Sequence, residues 1–274
     1  MGVAADPTAG SANARAIVQM YAPQAAEYEE IWAPLLHPYA RSVLDRIGLG
    51  EGVRVLEIAC GAGLLLPDIA ERAPAARVVG LDLVEEMLRL APRSFDRVVM
   101  DATQLGFVEG SFDSVVCTFA LFHFPDPLEA LRGICRVLRP AGVLGTATWG
   151  ANGDFPALDV SLEELDAFGA APDPVAGSAD GSEQVNSPNK MRAILGEAGF
   201  ENIEVEVVPW EQRWDLDEFI DYRTRLGASR RRLATLDPEA RSACLARMRE
   251  RLSSLPEDSL VDRDQVVLST AVRP

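Results

Sequence analysis

The run Val55-Leu-Glu-Ile-Ala-Cys-Gly-Ala-Gly63 is an apolar strand that ends in a turn with glycines at 61 and 63. Glycines at such a turn let the backbone bend tightly and approach a ligand where a Cβ would collide. A dinucleotide loop reads G-x-G-x-x-G, which would require a third glycine at 66, where this chain has Leu66. The lysine of a phosphate loop is missing too, so the turn suits a ligand without a pyrophosphate. Asp82 ends the run Val78–Leu81, 19 residues after Gly63, where a carboxylate can accept from the ribose hydroxyls of a nucleoside. Asp101-Ala102 follows Val98–Met100 and offers an acceptor for an adenine amine. On this reading, Asp82→Ala weakens ligand binding much more than it lowers ligand-free stability.

The elements that must position these groups alternate. Strands are expected at 53–59, 77–81, 98–100, 112–118 and 143–149, with helices at 67–72, 84–90 and 127–138 between them. Alternation of that kind means a parallel sheet with crossover helices, which binds ligands at the carboxyl ends of its strands. Asp126-Pro127, Ser187-Pro188 and Asp237-Pro238 are helix starts, and Asp215 with Glu218 forms a capping-box pattern. Residues 14–47 are helical with Tyr21, Tyr28, Trp32 and Tyr39, broken by Pro23, Pro34 and Pro38. The segment before them, 1–13, reads as a frayed tail, and 169–186 as a Gly/Pro/Ala/Asp-rich loop.

Taken together, these pieces resemble the class I S-adenosylmethionine (SAM) dependent methyltransferases, in the branch acting on small metabolites and quinone precursors. The matching residues are Val55–Gly63, Gly80-Leu-Asp-Leu83, Asp101-Ala102, Phe112-Asp113, Ala120-Leu-Phe-His-Phe-Pro-Asp126 and Leu138-Arg-Pro-Ala-Gly142. The resemblance implies an α/β, Rossmann-like, seven-stranded and mostly parallel sheet with helices on both faces, one strand antiparallel. It divides the chain into a tail and helical lid (1–47), a cofactor core (48–150), and a remainder (151–274) with strands near 203–210 and 265–272. Helical cap insertions fall near 155–179 and 211–258. It implies that Glu57 and the turn Ala59, Cys60, Gly61 and Gly63 hold the methionine part of the cofactor. Asp82 then holds the ribose and Asp101 with Ala102 the adenine, with Leu83, Met87 and Phe119 around them. Tyr21 matches a lid tyrosine that closes over the cofactor, with Tyr28 on the substrate side. The family usually has glycine where this chain has Ala59.

Two histidines are present. The resemblance places His123 beside the transferred methyl, as general base or orienting group, while His37, between Leu36 and Pro38, reads as structural unless the lid brings it to the pocket. Phe122 and Phe124 follow strand four, Trp149 follows strand five and Trp210 ends strand six. As substrate-lining residues they would select an apolar or aromatic metabolite, methylated on oxygen, nitrogen or carbon, an isoprenoid carbon among them. A quinone-precursor C-methyltransferase is one alternative; a nicotinamide oxidoreductase and a non-catalytic module are rivals from other classes.

The chain has 26 basic and 42 acidic residues, a net charge of −16, which argues against nucleic acid and anionic membranes as partners. Its arginines at 230–232, 241, 247, 249 and 251 read as a solvated helix face pairing with Asp237, Glu239 and Glu250. Four scattered cysteines without metal spacing, and no leader-like start, point to a cytoplasmic protein without a metal. Its partner is a small-molecule substrate; the inserted segments are large enough to form a substrate cap and could equally build the interface of a homo-oligomer, so subunit number stays open.

Overall fold

A computed structural model describes residues 12–175 and 181–274. Most of the expected tail and the centre of the 169–186 loop lie outside the described residues. Strands β1 (Arg54–Ile58), β2 (Arg77–Asp82), β3 (Asp96–Val99), β4 (Phe112–Thr118), β5 (Leu138–Asn152), β6 (Glu201–Arg213) and β7 (Val261–Val272) form one sheet of order 3-2-1-4-5-7-6. β1 to β5 pair in parallel, and β7 runs antiparallel to both neighbours. This is the expected mostly parallel sheet with one reversed strand.

Burial explains which strands were readable. Val55, Leu56 and Ile58 of β1 are fully buried, because helices cover both faces of the central strands. One face packs Val43, Leu44 and Ile47 of helix Ala33–Ile47 with Leu66 and Ile69 of helix Leu66–Arg72. The other packs Leu131 and Ile134 of helix Pro127–Val137 with Met191 and Leu195 of helix Pro188–Glu197. Asp126 and Ser187 cap those two helices through their side chains, and Asp215 with Glu218 makes both bonds of a capping box. β6 runs longer than expected because it is a largely exposed edge strand, extended by its hydrogen-bonded ladder with β7 and not by apolar alternation.

The cap is a small helical cluster. Helices Pro156–Ala167, Leu216–Arg225, Gly227–Leu233 and Pro238–Ser253 share a core that includes Leu165, Trp214, Phe219, Cys244 and Met248. The arginines there do not pair along one helix face, as the local sequence suggests. Arg247 and Arg251 converge on the buried Glu164, Arg231 pairs with Asp173, Arg232 with Asp166 and Arg249 with Asp217. Each reaches across to another element, and such long-range pairs leave no spacing signal. The cap also grips the lid. Arg225 pairs with Glu30, the Gly227 amide donates to Gln24 Oε1, and Arg230 donates to the Pro23 carbonyl.

Candidate active site

The turn after β1 needs left-handed backbone at three positions, with φ of 55° at Ala59, 55° at Gly61 and 74° at Gly63. Only glycine adopts that region without penalty, and an alanine there carries about 1–2 kcal/mol of strain. The departure at Ala59 is therefore a strained residue. Ala59→Gly is expected to raise the melting temperature of ligand-free protein by about 1–3 °C, the strain relief less the extra chain entropy of glycine. A melting curve that falls instead would show that the alanine methyl contributes packing.

Gly63 has a different task. A Cβ there would lie 2.8 Å from Leu66 Cδ1 and 2.9 Å from Ala91 Cβ, so this glycine packs the turn against the following helix and does not line the cleft. Gly61 has open space around its Cβ position, facing the cleft.

Asp82 is only 8% exposed. Its Oδ2 accepts from the Gly61 amide and its Oδ1 from the Val84 amide, both at 2.8 Å. The carboxylate thus ties the glycine turn to the start of the next helix, and it lines the cleft. Burial raises its pKa, against the opposing pull of these amides. The expectation for Asp82→Ala must be revised accordingly, since the substitution strands two buried N–H donors at about 1–3 kcal/mol each. Thermal unfolding of the ligand-free variant is expected to show a clear loss of stability beside the loss of ligand affinity. An unchanged melting temperature would mean that water satisfies both amides.

Glu57 is 4% exposed, and its Oε2 has no hydrogen-bond partner among the described residues. Burial, then the charges of Asp82 and Asp68, push its pKa well above the usual carboxylate range. A buried carboxylate with an unused oxygen beside a cleft is an acceptor waiting for a cationic donor. At the far end, Asp101 Oδ1 accepts from the Thr103 amide at 2.9 Å and from its hydroxyl at 2.7 Å.

The lid closes the cleft. Tyr21 places its hydroxyl 2.7 Å from His123 Nε2, and its ring stands edge-on to both His123 and Tyr28, at 5.4 Å each. Burial raises the Tyr21 pKa, with Asp82 adding to it, so Tyr21 keeps its proton in this hydrogen bond with His123. The side chain of Asn13 donates to the His123 carbonyl while its Oδ1 is buried without a partner.

The cleft brings together Tyr21, Tyr28, Glu57, Ala59, Cys60, Gly61, Asp82, Leu83, Met87, Asp101, Ala102, Phe119, His123 and Phe124 from the sequence-based set. Phe122, Trp149 and Trp210 stand apart. Trp149 and Trp210 meet edge-on at 5.4 Å and pack with Trp32, which stacks on Tyr222 at 5.2 Å. This places them between sheet, lid and cap and not on the cleft. The ring of Phe122 lies 4.3 Å from that of His123, outside the lining. His37, whose alternative placement is at the pocket, lines the cleft together with Asn13 and Thr103, which the sequence did not single out. Thr103 sits two residues beyond Asp101, a readable cue; nothing local marks Asn13.

Two features of the cleft fit SAM. Its lining carries Glu57, Asp82 and Asp101, and among the described residues that line it none is lysine or arginine. Its unpartnered Glu57 oxygen suits an ammonium group.

Residues 56–145 match the family described as "Methyltransferase domain". The nocamycin O-methyltransferase of Saccharothrix syringae is 34% identical over 127 residues, covering 43% of this chain and 45% of that protein. The demethylmenaquinone methyltransferase of Renibacterium salmoninarum is 36% identical over 112 residues, covering 40% of this chain and 46% of that protein. This chain thus spans less than half the length of the curated relatives it matches. A phosphoethanolamine N-methyltransferase 2 from Haemonchus contortus, solved with S-adenosylhomocysteine, superposes with a TM-score of 0.59 at 20% identity, covering 97% of this chain and 61% of that one, which speaks to fold alone. Segment 56–145 thus matches a methyltransferase-domain family, and the seven-stranded sheet around it has the fold of the solved methyltransferases it resembles.

Proposed function

We propose that this protein transfers a methyl group from SAM to a small apolar or aromatic metabolite. The observation that carries the reading is the charge of the cleft. Three carboxylates and no lysine or arginine among its lining residues make a field that attracts a sulfonium and repels the pyrophosphate of a nicotinamide cofactor. Bound there, SAM supplies the electrophilic methyl, so the protein's work is positioning, exclusion of water and handling of one proton.

The rest of the lining is largely apolar, with Ala14, Ile17, Leu36, Phe119 and Phe124 and the ring of Tyr21. That lining favours an uncharged, largely hydrocarbon acceptor over a phosphorylated or acidic one. For a hydroxyl or amine acceptor, His123 Nε2 takes the proton once Tyr21 turns its hydroxyl away. In the observed arrangement the Tyr21 hydroxyl occupies that nitrogen. Known activities of the relatives, an O-methyltransferase of natural-product type and demethylmenaquinone methyltransferases, span the same acceptor range. The protein is read as cytoplasmic; among the described residues no helix is long and apolar enough to cross a membrane.

The test is incubation with methyl-labelled SAM and a panel of phenols, quinone precursors, amines and isoprenoid alkenes. Label in one of these with release of S-adenosylhomocysteine is the expected result, and the labelled atom names the acceptor. Binding of SAM without turnover of any acceptor would favour a non-catalytic module. Calorimetric binding of NAD(H) without binding of SAM would end the reading.

A further inference from the structure

The cleft has two ends. Asp82, Leu83, Val84, Met87 and Asp101 make one, and Tyr28 belongs there, packed with Ala25, Val84 and Met87. Glu57, the turn 59–62 and His37 of helix Ala33–Ile47 make the other. An amino-acid headgroup at that second end presents an ammonium and a carboxylate. Glu57 answers the ammonium and can only repel the carboxylate.

Three amides of the turn are already taken. The amides of Cys60, Gly61 and Gly63 already donate to the Leu81 carbonyl, Asp82 Oδ2 and the Cys60 carbonyl. Among the described lining residues there is no lysine or arginine, and His37 is the one side chain at this end whose type can carry positive charge.

Its surroundings are built for that. His37 Nε2 lies 2.6 Å from Asp68 Oδ2, and Asp68 also takes Arg41 at 2.9 Å and Arg72 at 3.5 Å. A carboxylate only accepts, so Nε2 carries a hydrogen and the second ring nitrogen, Nδ1, is left for a ligand. Arg72 pairs as well with the exposed Asp45. Two guanidiniums thus accompany the Asp68 and Asp45 carboxylates.

We propose that His37 binds the α-carboxylate of the cofactor's amino-acid end, with Asp68 as the positioning residue that orients the ring. A carboxylate at Nδ1 sets the imidazolium between two anions, while Glu57 takes the ammonium on the opposite side. The assignment rests on the reading of the cleft as a SAM site.

The test compares three ligands by calorimetry: S-adenosylhomocysteine, its decarboxylated analogue, and 5′-methylthioadenosine, which lacks the amino-acid end altogether. Wild-type protein should prefer S-adenosylhomocysteine over the decarboxylated analogue by about 10- to 100-fold, the range for a charge-assisted hydrogen bond. His37→Leu should collapse that ratio toward one and leave affinity for 5′-methylthioadenosine unchanged. His37→Arg, which restores the cation, should recover a clear preference for the carboxylate. Asp68 keeps Arg41 and Arg72 in both variants, and thermal unfolding checks that they are folded. Equal weakening of all three ligands by His37→Leu would make the role structural and overturn the assignment. Loss of the carboxylate preference in neither variant would overturn it as well. Wild-type protein that binds none of the three ligands would overturn the cofactor reading itself, and His37's role with it, a result distinct from failure of His37 alone.

Discussion

Glu57→Gln is expected to yield a protein that is harder to unfold and that has lost most of its affinity for SAM and S-adenosylhomocysteine. The two effects share one cause. Glu57 is a buried carboxylate with an unpartnered Oε2, close to Asp82 and Asp68, so in the absence of ligand its charge is a burden on the fold. The neutral amide removes that charge at nearly constant volume. For a chain of this size the melting temperature gains about 2–4 °C for each kcal/mol recovered. Cofactor binding moves the other way, because a charge-assisted bond to the ammonium becomes a neutral one, a loss of about 10-fold or more.

The pH dependence follows from the same shifts. Glu57 and Asp82 both have folded-state pKa values above their ordinary ones of 4.5 and 3.8. Each penalises the fold when ionised, so ligand-free stability from these groups is lost as pH rises through the folded pKa. It is fully recovered only below the unfolded value. S-adenosylhomocysteine binds the ionised form of Glu57 and should flatten or reverse that slope. Melting curves across pH, with and without ligand, for wild type and Glu57→Gln, measure both arms. A variant that melts lower than wild type while binding the cofactor unchanged would remove Glu57 from the site.

Gly63→Ala carries the largest expected stability loss in the site. Two penalties add: the left-handed backbone at φ 74° and the collision of the new Cβ with Leu66 Cδ1 at 2.8 Å and Ala91 Cβ at 2.9 Å. Ala91's Cβ is fixed to its own backbone and cannot rotate away, and Pro92 closes the third side at 3.2 Å. Strain of about 1–2 kcal/mol and overpacking of about 1–3 kcal/mol give a combined loss of about 2–5 kcal/mol. Such a loss is a large share of the stability of an ordinary domain. Gly61→Ala is the control, since it shares the left-handed backbone but meets nothing within 4 Å. It should lose only the strain while placing a methyl in the cleft, so its larger effect is on ligand affinity. Thermal unfolding of the pair, followed by calorimetry, separates the two glycines. Equal melting temperatures would refute the packing role of Gly63.

The parts of the site that could be read from sequence share a physical property: their signals are local. The turn after β1 demands glycine within a few residues, Asp126 and Ser187 announce helix starts through their own side chains, and β1, β2 and β4 are apolar runs because both sheet faces are covered. The aromatic residues Trp149 and Trp210 were not readable in the same way. They stand at the carboxyl edge of the sheet, where a side chain can face the ligand or the packed layers, and strand pleating with the position of Trp32 decides which. The cap arginines show the same limit, since their partners lie on other elements.

By itself the sequence determined the order of strands and helices, the nature of the cofactor turn and the carboxylates at successive strand ends. These follow from backbone sterics and burial, which act over a few residues. Tertiary structure alone decided which side chains meet. Tyr21 reaches His123 across 102 residues of chain. Asp68 turns His37 from a proline-flanked helix residue into a member of the cleft, and Glu57 is left with a buried oxygen and no partner. Those meetings depend on how lid, cap and sheet pack together, and packing joins residues that no spacing along the chain connects.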